Sequence, residues 1–275
     1  MNIYKHFVCP ICHVPLSKFD NCLKCENSHS YDFSSSGYVN LLNPGKKNNA
    51  KAGDSKEMIR ARTSFFESGA YKNISDKIVD IAHLLNPQVI VDAGCGEGYY
   101  TEALAMLESS PFVLGFDMSK FGCEHGSKSA KKNNIKNICY SVGNIFDLPL
   151  NDCCADLIIN MFAPVAYEEF HRILKPNGHF VVASAGIDHL EGFKRIIYDD
   201  VYKNEEKILN YVGFELVSCE NLKYTVNIKG NDTIKNLFMM TPYFHRTSQA
   251  DKKKLNSVYE ISTTIEVNFS TYKKT

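Results

Sequence analysis

The stretch "VIVDAGCGEGYYT", from Val89 to Thr101, reads as a buried strand, a tight glycine turn and the start of a helix. Its opening "VIV" is an unbroken β-branched run, which is typical of a strand buried on both faces. Three glycines then fall within five residues, and they let the backbone curl tightly and approach a ligand closely. In a parallel sheet such a turn lies at the carboxyl end of the strands, where ligands bind.

The sequence around this turn alternates between short apolar runs and amphipathic runs. Strands are expected at "FVLGFDM", "NICYSVG", "ADLIINMF" and "HFVVASA", and helices at "YYTEALAMLE", "SKFGCEHGSKSAKKN" and "AYEEFHRIL", the last one stopped by "KPNG". This alternation predicts an α/β fold with a mostly parallel sheet and helices on both faces. After residue 186, "FELVSCENLKYTVNIKG" and "TTIEVNFSTY" alternate as antiparallel strands do, around a helix near "DTIKNLFMM".

The glycine turn does not follow the G-x-G-x-x-G spacing that binds the pyrophosphate of a dinucleotide. Its acidic and glycine positions are Asp92, Gly94, Gly96, Glu97 and Gly98. A carboxylate here opposes a phosphate but suits a cation, such as the ammonium and sulfonium of S-adenosyl-L-methionine. Asp117 ends the next strand, 25 residues after Asp92, where an acidic side chain can accept both hydroxyls of a ribose. The pattern therefore predicts a nucleoside-type cofactor.

Two later strands also end in polar residues. Asn144, in "SVGNIFDLP", is placed to read the edge of an adenine, or else it is an ordinary turn asparagine. The motif "NMFAP" ends the fourth strand, where the reacting group of such a fold would lie. Asn160, Phe162 and Pro164 are therefore candidates for holding a substrate, with Phe162 either stacking on it or packing in the core.

Four of the ten cysteines fall within the first 25 residues. No apolar run approaches the length of a membrane span, and the N-terminus lacks the apolar core of a signal peptide. A cytoplasmic location is expected, and in that reducing compartment clustered thiols indicate a metal more than disulfides. Two C-x₂-C pairs match a four-cysteine zinc site, but a histidine is an equally good ligand. The candidate ligands are Cys9, Cys12, His13, Cys22, Cys25 and His29.

Three regions are expected along the chain: a small metal-binding module over 1–42, a linker with two helices over 43–86, and a cofactor-binding domain over 87–275. The linker tract "GKKNNAKAGD" has no apolar periodicity. The helix that follows, in "GDSKEMIRARTSFFESG", is expected to be capped by Asp54, with Glu57 completing a capping box.

Charge is balanced overall, with 31 basic and 31 acidic residues, so there is no bulk attraction to nucleic acid or to an anionic membrane. Residues 1–72 nevertheless hold ten Lys and Arg against six Asp and Glu. The basic residues beside the metal-binding module that could contact phosphates are Lys46, Lys47, Lys51, Arg60 and Arg62. A second basic run, Lys252 to Lys254, reads as a solvated helix face.

Several of these motifs stand in the order found in class I S-adenosylmethionine-dependent methyltransferases, which the chain resembles at "DAGCGEGYYT", "GFDMS", "LPL" and "LKPNG". The segments "FVCPICHVPL", "CENSHSYDFSSSGYVNLL", "GDSKEMIRAR" and "MTPYFHR" narrow the resemblance to bacterial 23S ribosomal RNA guanine-N1 methyltransferases. This resemblance covers roughly Cys9 to Arg246. It implies S-adenosylmethionine as cofactor, one structural zinc ion, and methylation of a guanine in a hairpin loop of 23S rRNA.

The resemblance also implies residue roles. It puts the zinc on Cys9, Cys12, Cys25 and His29, which leaves Cys22 as a spare thiol. It places Tyr71 and His189 in the cofactor pocket, although the residues alone would read as a core aromatic and a helix-cap or surface histidine. The family pattern names no catalytic proton acceptor. Because members of this family can pair, a homodimer is also expected.

Two other functions fit parts of the sequence. A small-molecule methyltransferase shares the same sheet, but such enzymes rarely need a zinc module. A zinc-ribbon RNA-binding protein without catalysis would not need the intact glycine turn with Asp117. A requirement for RNA in methyl transfer would distinguish the family function from a small-molecule methyltransferase. Binding of the cofactor would distinguish it from a non-catalytic RNA-binding protein.

Overall fold

The computed structural model describes residues 2–46, 53–201, 203–205 and 209–275. Over these residues the strands are β1 (Ser17–Phe19), β2 (Cys22–Lys24), β3 (Ser30–Asp32), β4 (Val39–Asn40), β5 (Val89–Ala93), β6 (Phe112–Asp117), β7 (Ile138–Val142), β8 (Ala155–Met161), β9 (Leu174–Ala185), β10 (Phe214–Lys229) and β11 (Glu260–Lys274). The helices are α1 (Lys56–Glu67), α2 (Lys72–Leu85), α3 (Tyr99–Ala105), α4 (Lys120–Lys132), α5 (Tyr167–Ile173), α6 (Glu191–Ile197), α7 (Asn231–Met239), α8 (Tyr243–Arg246) and α9 (Gln249–Lys254). None of them is long and apolar enough to cross a membrane.

The main sheet has eight strands in the order β10-β11-β9-β8-β5-β6-β7-β4. Neighbours from β4 to β9 pair in parallel, and β11 pairs antiparallel with both β9 and β10. The predicted fold, mostly parallel with an antiparallel C-terminal strand, is confirmed. Because β5, β6, β7 and β8 run the same way, the turns that follow them meet at one edge of the sheet.

Burial on both faces of β5 explains its unbroken apolar sequence. All five residues of the strand are buried. Ile90 belongs to the apolar cluster on one face, whereas Val89 and Val91 belong to the cluster on the other. This alternation follows from the two-residue period of a strand, and it fixes the position of the glycine turn.

The N-terminal segment joins the main sheet directly. Its strands β1, β2 and β3 form a small antiparallel sheet, while β4 extends the main sheet by pairing with β7. The ring of Phe7 packs 6.1 Å from that of Phe116 on β6, measured between ring centroids. Phe7, Leu16 and Leu23 therefore share one apolar cluster with the sheet.

Two expected boundaries differ in the structure. The α1 helix is capped by Ser55, whose hydroxyl accepts from the backbone N–H of Met58. The expected cap, Asp54, instead pairs its carboxylate with Arg62, because a charged partner is available to it. The "KPNG" segment does not precede β9 but lies within it, at a register shift where β9 pairs with β8.

Candidate active site and metal centre

A cavity of about 910 Å³ lies at the carboxyl edge of the main sheet. A concave site of this size at this edge is the usual place for a ligand in an open α/β sheet. Of the residues predicted from sequence, its lining includes Tyr71, Gly94, Gly96, Glu97, Asp117, Asn144, Phe162, Pro164 and His189. The remaining three, Asp92, Gly98 and Asn160, lie in the turns and strand ends that support this lining.

Asp92 is a buried carboxylate with one oxygen unsatisfied. Its side chain is 1% exposed, and Oδ2 accepts a hydrogen bond of 2.6 Å from the hydroxyl of Thr101. Oδ1 has no hydrogen-bond partner among the residues that the structure describes. Burial, together with the nearby charges of Asp117 and Glu97, raises the pKa of Asp92 to about 7, although the Thr101 bond opposes the shift. The charge of a cationic ligand in the adjoining cavity would favour the ionised form of this carboxyl, so the carboxylate fits S-adenosylmethionine.

Asp117 is held by backbone donors at the end of β6. The N–H of Gly96 donates to Oδ2 at 2.9 Å, and the N–H of Ser119 donates to Oδ1 at 2.6 Å. Burial raises the pKa of this carboxyl, and the two N–H bonds oppose the rise. Each carboxylate oxygen can accept a second hydrogen bond, so the group remains able to bind a ribose.

Gly98 shows why the turn needs glycine. Its φ is +94°, a conformation that costs an L-residue side chain energy. A Cβ atom built there would lie 2.2 Å from the hydroxyl oxygen of Tyr140. No side chain fits that gap, so glycine is required at the start of α3, where the ligand cradle meets the helix.

Arg62 lies in the cavity lining, which sequence reasoning missed. It was expected on an exposed phosphate-binding face, but its side chain is 19% exposed. Its Nη1 donates to Glu97 at 3.3 Å and its Nη2 pairs with Asp54. Burial acts to lower the pKa of Arg62, but the charges of Glu97 and Asp54 outweigh burial and raise it. The guanidinium thus acts as the counter-charge of the acidic turn.

The rest of the expected phosphate-binding face is divided. Lys46 pairs with Asp147 at 2.7 Å, and Arg60 is exposed on α1. Lys47 and Lys51 lie outside the residues that the structure describes.

Tyr71 and His189, which the family resemblance assigns to the cofactor pocket, both line the cavity and contact each other. The Tyr71 hydroxyl lies 3.2 Å from Nε2 of His189, and His189 Nδ1 accepts from the backbone N–H of Glu266 at 3.2 Å. Because Nδ1 is an acceptor, the neutral ring carries its proton on Nε2 and donates it to Tyr71. Burial lowers the pKa of His189 to about 4, so the ring is neutral near pH 7.

Asn160 and Phe162 have different roles at the end of β8. Asn160 is fully buried, and its amide nitrogen donates to the carbonyl of Ala93 at 3.1 Å and to that of Pro164 at 3.0 Å. It therefore joins the end of β5 to the "FAP" turn. Phe162 is 44% exposed with φ of +55°, a strained conformation for a bulky residue. Core packing does not explain this ring, which faces the cavity and lies 6.1 Å from the ring of His189.

Asn144 has the local role that a turn asparagine has. Its side-chain oxygen accepts from the backbone N–H of Phe146 at 3.0 Å, which is an Asx turn. It also lines the cavity, so its amide group is still placed to read a ligand edge.

The metal centre is formed by Cys9, Cys12, Cys25 and His29, whose ligand atoms all lie within 4.8 Å of one another. Cys12 and Cys25 have their sulfurs 3.8 Å apart, and Nδ1 of His29 lies 3.4 Å from each of the three sulfurs. A tetrahedral zinc with ordinary bond lengths has S···S edges of about 3.8 Å and S···N edges of about 3.5 Å. The four side chains therefore fit one zinc ion.

The two rival ligands are placed elsewhere. The Cys22 thiol donates to the carbonyl of Phe19 at 3.2 Å, and His13 is exposed in a left-handed turn. The Tyr31 hydroxyl lies 3.1 Å from the sulfur of Cys9. A hydroxyl donor to a ligand sulfur is a common outer-shell contact that stabilises a thiolate.

Comparison with known proteins agrees with both parts of the chain. Residues 85–239 match the family described as "Methyltransferase domain", and residues 7–51 match the zinc-ribbon family described as "RlmA, N-terminal". The 23S rRNA (guanine(748)-N(1))-methyltransferase of Streptomyces fradiae is 30% identical over 88% of this chain and 86% of its own length. YxjB of Bacillus subtilis (strain 168), provisionally named a 23S rRNA (guanine-N(1)-)-methyltransferase, is 30% identical over 72% of this chain and 70% of its own.

A solved structure matches the fold. A provisionally named methyltransferase of Bacillus halodurans C-125 superposes with a TM-score of 0.50 at 16% identity, covering 73% of this chain and 98% of that one. These findings confirm the predicted class of fold, the S-adenosylmethionine cofactor and the single structural zinc. The chain belongs to the family of 23S rRNA (guanine-N1)-methyltransferases that carry an N-terminal zinc ribbon.

Proposed function

We propose that this protein methylates N1 of a guanine in a hairpin loop of 23S rRNA in the cytoplasm. The observation that carries the proposal is one cavity with two different ends. An acidic glycine turn suited to a cationic cofactor lies beside an exposed aromatic ring, Phe162, in a strained turn. The zinc ribbon of the same family supports RNA over a small molecule as the substrate.

The chemistry sets what the residues must do. Bound S-adenosylmethionine supplies a methyl group on a sulfonium. Guanine N1 must lose its proton and approach the methyl carbon in line, so most of the rate depends on positioning. N1 is hydrogen-bonded inside a duplex, which favours an unpaired or flipped-out base as target.

Phe162 is the residue best placed to hold that base. An aromatic face stacks on any base, and the contact contributes about 1–3 kcal/mol. Asn160 fixes the turn by its bonds to the carbonyls of Ala93 and Pro164. Neutral His189 beside the Phe162 ring adds no positive charge near the base.

The zinc module over 1–42 is proposed to recognise the RNA, and the domain over 87–275 to carry out transfer. The zinc module needs its metal to fold, because so small a segment cannot build a core of its own. Pairing of two copies around one RNA belongs to the same proposal, on the strength of the family resemblance, and light scattering with and without RNA checks it.

The test uses purified protein, labelled S-adenosylmethionine and 23S rRNA that lacks the modification. Label in 1-methylguanosine after digestion to nucleosides is the expected result. A Phe162→Ala variant should lose at least tenfold in kcat/KM for RNA while its cofactor Kd stays unchanged. Cofactor binding without label in RNA would favour a small-molecule substrate, and no cofactor binding would favour a non-catalytic RNA-binding protein.

A further inference from the structure

Charges in the cavity lining are unevenly neutralised. Among the residues that the structure describes, and apart from the neutral His189, the charged residues of this lining are Asp54, Arg62, Glu97, Asp117 and Arg246. The first four form one group around the glycine turn, in which Arg62 is paired with both Asp54 and Glu97. Arg246 alone stands outside that group.

Arg246 ends α8 with its side chain exposed. Its guanidinium forms no hydrogen bond or ion pair with any residue that the structure describes. Its backbone is nevertheless well fixed, because Tyr243 and Thr247 on either side are buried, and Thr247 lies 3.0 Å from the Tyr198 hydroxyl. A residue that lines the cavity and is also exposed lies at its mouth.

Other cations lie near this position on the chain. Lys252 has its ammonium 4.2 Å from the ring centroid of Phe244, two residues before Arg246. Lys253 is exposed, whereas Lys254 is neutralised by Asp199 and Asp251. Of the basic run that the sequence alone assigned to a solvated helix face, Lys252 thus packs against α8, the helix that Arg246 ends.

We propose that Arg246 binds a backbone phosphate of the RNA at the mouth of the cleft. This inference rests on the proposed function, because a base inserted in the cavity leaves its own phosphates at the mouth. The planar guanidinium presents several N–H donors in a fork that suits a phosphate. An arginine without a carboxylate partner among the described residues has these donors available for RNA.

The experiment compares Arg246→Ala with the wild-type protein and with Arg195→Ala, in methyl-transfer and RNA-binding assays. Arg195 is an exposed arginine on α6 that pairs with Glu191 and is absent from the cavity lining. Arg246→Ala should raise the KM for 23S rRNA about tenfold, with kcat at saturating RNA and the Kd for S-adenosylmethionine unchanged. The slope of log K for RNA against log salt should fall by about 1. Arg246→Lys should recover part of the loss, and Arg195→Ala should match wild type.

Two results would overturn the inference while wild type remains active. An unchanged KM for RNA would show that Arg246 makes no phosphate contact. A raised Kd for S-adenosylmethionine with an unchanged KM for RNA would assign Arg246 to the cofactor's carboxylate instead. If wild type methylates no RNA, the proposed function fails, and the role of Arg246 is then tested by direct binding of the hairpin RNA. Equal RNA binding by wild type and Arg246→Ala, or no binding by either protein, would reject that role.

Discussion

At the scale of single residues, Asp92 gives the cofactor end of the cleft a dependence on pH. The groups facing its carboxyl are the Thr101 hydroxyl and the carboxyls of Asp117 and Glu97. Its pKa in the folded apo protein, about 7, lies above that of an unfolded aspartate. The contribution of this group to the free energy of unfolding of the apo protein is therefore largest below about pH 4. That contribution is lost as pH rises through about 7. A cationic cofactor prefers the ionised form, so cofactor binding has the opposite dependence.

The Kd for S-adenosylmethionine is accordingly expected to be about fivefold higher at pH 6 than at pH 7. The amino group of the cofactor is mostly protonated at both values, so it contributes little. Isothermal titration calorimetry on wild type and on Asp92→Asn measures the effect. The variant should bind more weakly at pH 7 and show no change between the two pH values. A variant that keeps the wild-type dependence would assign the proton to another group.

Arg62 leads to a second prediction at this scale. Glu97 is 5% exposed, so removing its partner leaves a carboxylate buried without a counter-charge. Arg62→Met should lower the free energy of unfolding by about 3 kcal/mol near pH 7, measured by urea denaturation. Arg195→Met, which breaks an exposed pair with Glu191, should change it by less than about 1 kcal/mol. Equal effects of the two substitutions would contradict the pairing.

Some of the site could be read from residue types and some could not. The acidic glycine turn was recognisable because its chemistry is local, and the structure places those residues around one cavity. The sequence spacing could not decide whether Cys22 or His29 is the zinc ligand, because both spacings suit a tetrahedral metal. Arg62 was misread as an RNA contact, since its partner Glu97 is 35 positions away in the chain. Only the fold brings them together.

At the scale of elements, strand and helix alternation predicted β5 to β9 because each strand is long enough to show its pattern. The two-residue strand β4 was missed. So short a strand carries no periodicity, and its pairing with β7 depends on tertiary contacts. The start of α1 was also shifted by one residue, since both Asp54 and Ser55 are good cap residues.

The cap of α1 can be tested directly. Ser55→Ala should destabilise the protein by about 1 kcal/mol, because the backbone N–H of Met58 loses its acceptor. Its Kd for S-adenosylmethionine should not change. Asp54→Ala should raise that Kd, because Asp54 lines the cavity and pairs with Arg62. Thermal denaturation measures the loss of stability, and calorimetry measures the Kd for the cofactor. A loss of stability in Asp54→Ala without one in Ser55→Ala would identify Asp54 as the cap.

At the scale of the whole molecule, the zinc module and the catalytic sheet share an apolar core. Two zinc ligands, Cys9 and Cys25, belong to the same buried cluster as Phe116 and Phe170 of the catalytic domain. The backbone N–H of Val8 also donates to the carbonyl of Pro149 at 2.9 Å. Metal binding and stability of the catalytic domain are therefore expected to be coupled.

Removal of the zinc should lower the melting temperature of the entire chain in one transition, by roughly 10 °C. The reason is that an unfolded module would uncover Phe7, Leu16 and Leu23 and the sheet residues packed on them. Cys12→Ser should show this loss together with absent zinc, followed by circular dichroism and metal analysis. Cys22→Ser should keep one zinc per chain and the wild-type melting temperature, because Cys22 lies outside the ligand cluster. Two separate transitions, with the catalytic one unmoved in Cys12→Ser, would mean that the module folds independently of the sheet.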